Sequence, residues 1–106
     1  MEKVINNGEV AVLYSPGYGA GWYTWGAPLE LVFHPKIVEM VLANKQREIT
    51  QDWLVENIGE EYAKVYCGGA IQLDIEWIPV GTQFIIKEYD GYESIVVHDN
   101  LDIIIA

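Results

Sequence analysis

Cysteine is almost missing from this sequence: Cys67 is the only one in 106 residues, so no disulfide can form within the chain. Small secreted domains are ordinarily cross-linked by several disulfides, and this shortage points to the reducing cytoplasm. Long apolar runs are missing too. No stretch approaches the roughly 18 uninterrupted apolar residues of a membrane span, and the N-terminus lacks the pattern of a signal peptide. The chain is therefore expected neither to cross nor to enter a membrane. Bases are scarce, with six Lys and Arg against sixteen Asp and Glu, for a net charge of −10. Such a charge repels nucleic-acid backbones and anionic lipid surfaces, which excludes a general DNA or RNA binder. Histidine is limited to His34 and His98, and neither has a Cys or a second His at ligand spacing. No metal and no cofactor are expected.

What is present is enough apolar material for a core: 51% of the residues are hydrophobic and 12% aromatic. At this length one domain, residues 1–106, is the default. The run Glu-Val-Ala-Val-Leu-Tyr at 9–14 reads as a buried strand, and residues 29–33 as a short extended piece. Pro35 suits the first turn of a helix, and Ile37, Val38, Val41 and Leu42 recur at helical spacing, predicting a helix over about 35–45. Thr50 is a good N-cap for a second helix over about 50–66, which Gly59 bends or breaks. From Ile71 to Ile78 the period changes to two, the signature of a half-buried strand. Strands over 82–88 and 93–97 then flank Asp90-Gly91, a strong hairpin signal. The predicted class is α+β: an antiparallel sheet of about 4–6 strands, with the two helices inserted after the second strand and packed on one face. The apolar end, Leu101-Asp102-Ile103-Ile104-Ile105-Ala106, either completes the sheet or covers a partner subunit.

Between the first strand and the helices lies the most unusual segment. Tyr14, Tyr18, Trp22, Tyr23 and Trp25 are five of the thirteen aromatics, and Gly17, Gly19, Gly21 and Gly26 are four of the ten glycines. Glycines let backbone N–H groups approach a ligand closely, and the aromatic rings offer stacking faces with hydroxyl and indole donors. This chemistry suits a base, a nucleotide or a sugar, held by Tyr14, Ser15, Gly17, Tyr18, Gly19, Gly21, Trp22 and Trp25. It also suits plain packing over a sheet edge. The segment is not a phosphate P-loop, because no lysine followed by Ser or Thr closes it. An anionic ligand would then need Arg47, Lys36 or Lys45 from the helical block.

A second cluster is acidic. Asp74, Glu76, Glu88, Asp90 and Glu93 face only Lys87 as a base in the C-terminal block. Asp74 and Glu76 share a strand face and repel one another unless solvated or paired. These five residues compose either a solvated sheet face or a surface that occupies the basic groove of another protein. Catalysis is disfavoured: Cys67 needs a histidine within reach to act as a nucleophile, and Ser15 and Ser94 lack a nucleophile elbow.

The strings Ser15-Pro16-Gly17-Tyr18-Gly19-Ala20-Gly21-Trp22, Cys67-Gly68-Gly69-Ala70, Ile75-Glu76-Trp77, Pro79-Val80-Gly81-Thr82 and Glu88-Tyr89-Asp90-Gly91-Tyr92-Glu93-Ser94-Ile95 together resemble a group of small accessory proteins of tailed bacteriophages. The resemblance implies the host bacterial cytoplasm as the setting and action on the host, often against its defences, as the role. It implies no catalytic residues. Combined with the residue chemistry, it leads to the expectation of a non-enzymatic counter-defence sponge. Such a protein binds a nucleotide-like immune signal through the aromatic loop. An acidic inhibitor of a host protein and a structural homo-oligomer remain as alternatives.

Overall fold

A computed structural model describes residues 2–17 and 20–98. The chain is α+β, with five strands and three α-helices among the described residues. Strand β1 (Ile5–Asn6) and β2 (Glu9–Tyr14) form a hairpin through Asn7 and Gly8, whose φ angles of 53° and 78° match the type I′ turn that right-twisted strands favour. Strand β3 (Asp74–Pro79) pairs antiparallel with β2 along its length, Val10 opposite Ile78 and Tyr14 opposite Asp74. Strands β4 (Gln83–Tyr89) and β5 (Tyr92–His98) form a separate two-stranded sheet closed by Asp90 and Gly91, with φ of 50° and 83°.

The continuous apolar run of β2 is explained by burial on both faces. Ala11 and Leu13 join the main core with Trp22, Leu31, Ile37, Val38, Leu54 and Leu73. Val10 and Val12 point the other way, onto Val32, Phe33 and Ile78, with Phe84, Ile86 and Ile95 of the hairpin packed alongside. β2 is thus sandwiched between the helices and the β4–β5 hairpin. This accounts for two small sheets where periodicity predicts one: the hairpin lies against the first sheet as a layer, and Glu93 N–H to the Ser15 carbonyl, 2.8 Å, stitches their ends.

The helical block differs from the expected boundaries for local reasons. Residues predicted as an extended piece instead form α1 (Glu30–Phe33), whose first turn is closed by Leu31 and Val32 donating to Pro28 and Leu29 carbonyls. Helix α2 (Pro35–Leu42) starts as predicted on Pro35, with His34 Nδ1 accepting from Lys36 N–H at 3.2 Å, but stops three residues short of 45. Asn44 adopts φ of 58°, and Asn44 and Lys45 N–H groups bond back to Val41 and Met40 carbonyls, a Schellman ending. Helix α3 (Gln51–Asn57) is capped by Thr50 as predicted and ends before Gly59, leaving only a 3-10 turn at Glu60–Tyr62. A further 3-10 turn, Ala70–Gln72, replaces the expected beginning of the third strand. The part expected of residues 101–106 lies outside the described residues.

Candidate functional site

The aromatic glycine loop is organised around one carboxylate. Glu93 is wholly buried, and its Oε1 accepts from Ser15 N–H at 2.8 Å. Its Oε2 accepts from Trp22 N–H at 2.9 Å, Thr24 N–H at 2.8 Å and Thr24 Oγ1 at 2.7 Å. Four donors satisfy a charge that has no cationic partner among the described residues, the condition under which a buried carboxylate is tolerated. Glu93 reaches the loop because β5 follows the end of β2, and its side chain lies on the inner face of the hairpin. The loop therefore closes on the protein's own anion.

This geometry corrects several expectations. Ser15 is fully buried, its hydroxyl donating to the Gly69 carbonyl at 2.8 Å, and Trp22 is fully buried with Nε1 donating to the Leu31 carbonyl at 3.1 Å. Neither is a platform for a ligand; both belong to the core. Gly21 and Gly69 are glycines because two chain segments cross there: a Cβ on Gly69 would collide with the Gly21 carbonyl, and one on Gly21 would stand 2.7 Å from Thr24 Oγ1. Tyr14 packs toward Asp74, Glu76 and Tyr92; burial, followed by these charges, pushes its hydroxyl up from the ordinary tyrosine range. Gly17 lies against the Gln72 side chain. Tyr18 and Gly19 lie outside the described residues.

Of the acidic set, Glu93 is inaccessible to any partner, so the surface read from the sequence loses its last member. Exposed Glu88 also serves the fold, its Oε2 accepting from Gly91 N–H at 2.8 Å and from Trp25 Nε1 at 3.3 Å. Asp74 accepts from Ile75 N–H at 2.8 Å, Asp90 occupies the turn, and half-buried Glu76 has an Oε2 shut off from solvent with no hydrogen-bond donor among the described residues. Among the described residues, no group of three or more His, Cys, Asp or Glu is placed to hold a metal ion. No helix among them is long and apolar enough to cross a membrane.

What the loop's described aromatics present to solvent is Tyr23 and Trp25, each 40% exposed, and Trp25 is stacked on Tyr66 with ring centroids 5.7 Å apart. Tyr66 borders an open groove of about 520 Å³ that runs between residues 46–51 and 66–71. Ile49 and Ile71 supply apolar surface, Gln46 and Gln51 polar edges, and Arg47 the charge. Gln46 Nε2 donates to the Leu73 carbonyl at 3.1 Å and Gln51 Nε2 to Val65 at 2.9 Å, which fixes both amides. Arg47, the only arginine of the chain, is exposed and has no ion pair or side-chain hydrogen bond among the described residues. Of the other two bases considered for an anion, Lys36 Nζ is engaged by the Asn57 carbonyl at 2.6 Å, and Lys45 does not line the groove. Cys67 also lines it, with burial pushing the thiol up from its ordinary value and away from thiolate chemistry.

Two of the residues expected to hold a ligand, Trp25 and Arg47, thus belong to this region, together with Cys67. Tyr66, Ile71 and Gln51 were not singled out; the one sequence signal for them was the double glycine after Cys67, which lets the Tyr66 ring lie over Gly68. Comparison with protein-family models, curated proteins and solved structures finds no match to this chain.

Proposed function

We propose that this protein is a non-enzymatic binder of a small, planar, nucleotide-like molecule, taken up in the groove beside the Trp25–Tyr66 stack. The observation that carries the reading is an arginine, unpaired among the described residues, on the rim of a partly apolar groove in a protein of charge −10. The groove volume falls within the roughly 300–1,000 Å³ of small-molecule sites. The lining offers apolar and aromatic surface, fixed amides and one cation, with no catalytic pair. The resemblance to phage accessory proteins supports taking such binding as sequestration of a host immune signal in the bacterial cytoplasm. The test is native mass spectrometry of the protein after incubation with a small-molecule extract of infected bacteria. A ligand mass retained by the wild type and lost in a folded Tyr66→Ala variant supports the reading; a bare wild-type protein refutes it.

A second reading, self-association, is favoured by the outer face of the hairpin. There the exposed pair Ile85 and Val96 sits beside Tyr89 and Tyr92, with Lys87 as the only charge and no carboxylate among the described side chains. Mass that rises with concentration in light scattering, and falls back in Val96→Lys, would support it.

A further inference from the structure

Resting on the small-molecule reading above, we infer that the groove selects a planar ring bearing a single anionic group, a phosphate or carboxylate, and discriminates against both the uncharged ring and its polyphosphates. Three observations converge on this class. The first is the count of cations. Among the described residues Arg47 is the only base lining the groove and its guanidinium has no partner, so one phosphate or carboxylate can take its planar fork of donors in a bidentate pair. A second phosphate finds no base on the lining. It would instead stand in the field of a −10 protein, with Glu48 beside Arg47 and Asp52 one residue beyond Gln51.

The second observation is the character of the rest of the lining. Ile49 is buried and Ile71 is 53% exposed, so apolar surface continues from the core to the rim. Tyr66 stands at that rim, stacked on Trp25 and packed close to Gly68, where a Cβ would strike its hydroxyl and ring. A ring already fixed by its neighbours loses little freedom on contact with a ligand, and flat apolar surface next to a fixed aromatic suits a planar heterocycle better than a flexible chain. The third is that the groove-lining residues include no carboxylate. On a chain with sixteen acids this leaves the Arg47 charge uncancelled within the groove, available to the anionic end of the ligand.

The experiment is titration of the intact protein with the four ribonucleoside 5′-monophosphates, their nucleosides and their triphosphates, followed by amide chemical shifts at low and physiological salt. The expected result is that at least one monophosphate binds about 10–100-fold more tightly than its nucleoside, the value of a charge-assisted pair. Its triphosphate should bind more weakly than the monophosphate, most clearly at low salt, with the shifts mapping to residues 46–51 and 66–71. Arg47→Met should bring the monophosphate down to the nucleoside level. Arg47→Lys should restore only part of the difference, because an ammonium keeps the charge but not the fork. Arg47 has no partner to lose among the described residues, so both variants are expected to melt with the wild type. Equal binding of nucleoside and monophosphate, or tighter binding of the triphosphate, overturns the selectivity while leaving the groove as a site. Shifts from none of the twelve compounds overturn the nucleotide reading along with it.

Discussion

Replacing Glu93 by glutamine tests the central device of this fold, because the side chain changes by one atom while the hydrogen-bond pattern cannot be conserved. The carboxylate accepts one bond at Oε1 and three at Oε2, all from donors. An amide has one acceptor end and one donor end. With its oxygen at the three-donor position, its NH₂ faces Ser15 N–H; turned over, it faces Trp22 N–H, Thr24 N–H and the Thr24 hydroxyl. The first arrangement is the lesser evil. It sets two buried donors, the Ser15 N–H and the amide NH₂, against each other, at about 1–3 kcal/mol apiece, and converts three charge-assisted bonds into neutral ones of roughly half the strength. Relief from burying a charge offsets part of this, leaving an expected loss of about 2–4 kcal/mol. A domain of this size holds about 5–15 kcal/mol in total, and each kcal/mol moves its melting point by about 4–8 °C. Urea unfolding followed by tryptophan fluorescence measures the loss. Glu56→Gln, an exposed acid on α3, makes the same change in net charge and should stay within about 0.5 kcal/mol of wild type. Thr24→Val should cost about 1–2 kcal/mol alone and less in the Glu93→Gln background, where the hydroxyl's bond to residue 93 is already weakened. A loss in Glu93→Gln no larger than in Glu56→Gln would refute the argument that the loop hangs on this carboxylate.

Other perturbations follow from the same geometry. Trp22→Ala removes a fully buried indole and should destabilise the fold by about 3–5 kcal/mol in thermal unfolding, and a near-wild-type melting point would return Trp22 to the list of ligand platforms. Gly69→Ala should unfold the chain or force the 15–26 loop away from it, visible as lost amide dispersion, because the collision is with backbone. His34 contributes to stability as the neutral ring that accepts from Lys36 N–H. Burial, then Lys36, hold its folded value below the unfolded 6.5, so the unfolded state takes up protons first. Stability should be complete above about pH 6.5, fall as the pH is lowered through the window beneath it, and lose this component in His34→Asn, which caps without titrating. The Cys67 thiol, raised by burial, should be alkylated at pH 8 much more slowly in the native than in the urea-unfolded protein.

What the sequence made legible is what local chemistry decides. Pro35 and Thr50 begin helices where their geometry requires it, Asp90-Gly91 makes the hairpin, and the two-residue period through Ile75 and Trp77 marks a strand. The elements that escaped are those decided by partners distant in sequence. Residues 30–33 are helical because Trp22 and β2 cover them, and the third strand begins only at Asp74 because Ala70–Gln72 turns beneath residues 46–48. Asn7-Gly8 carries a turn signal, but the two-residue strand before it leaves almost no periodicity to read.

The candidate site failed in a more instructive way. Composition placed many glycines and aromatics together, and such a segment answers equally to a ligand that sits in it or to a protein group that does. Glu93 resolves the ambiguity: it is 78 residues from Ser15 in sequence yet supplies the anion that the loop's backbone donors bind. Once those donors are occupied, the argument for a phosphate in the loop lapses. A ligand must instead find its cation outside, and Arg47 is the only base along the neighbouring groove. The same carboxylate thus takes Glu93 out of the acidic surface, leaving Asp74, Glu76, Glu88 and Asp90, and the binding we propose moves by one structural step, from the Trp22 side of the loop to the Trp25–Tyr66 side. Should Glu93→Gln free the loop without unfolding the protein, its vacated donors would form a second anion site. Phosphate would then stabilise that variant in thermal melts and leave the wild type unchanged.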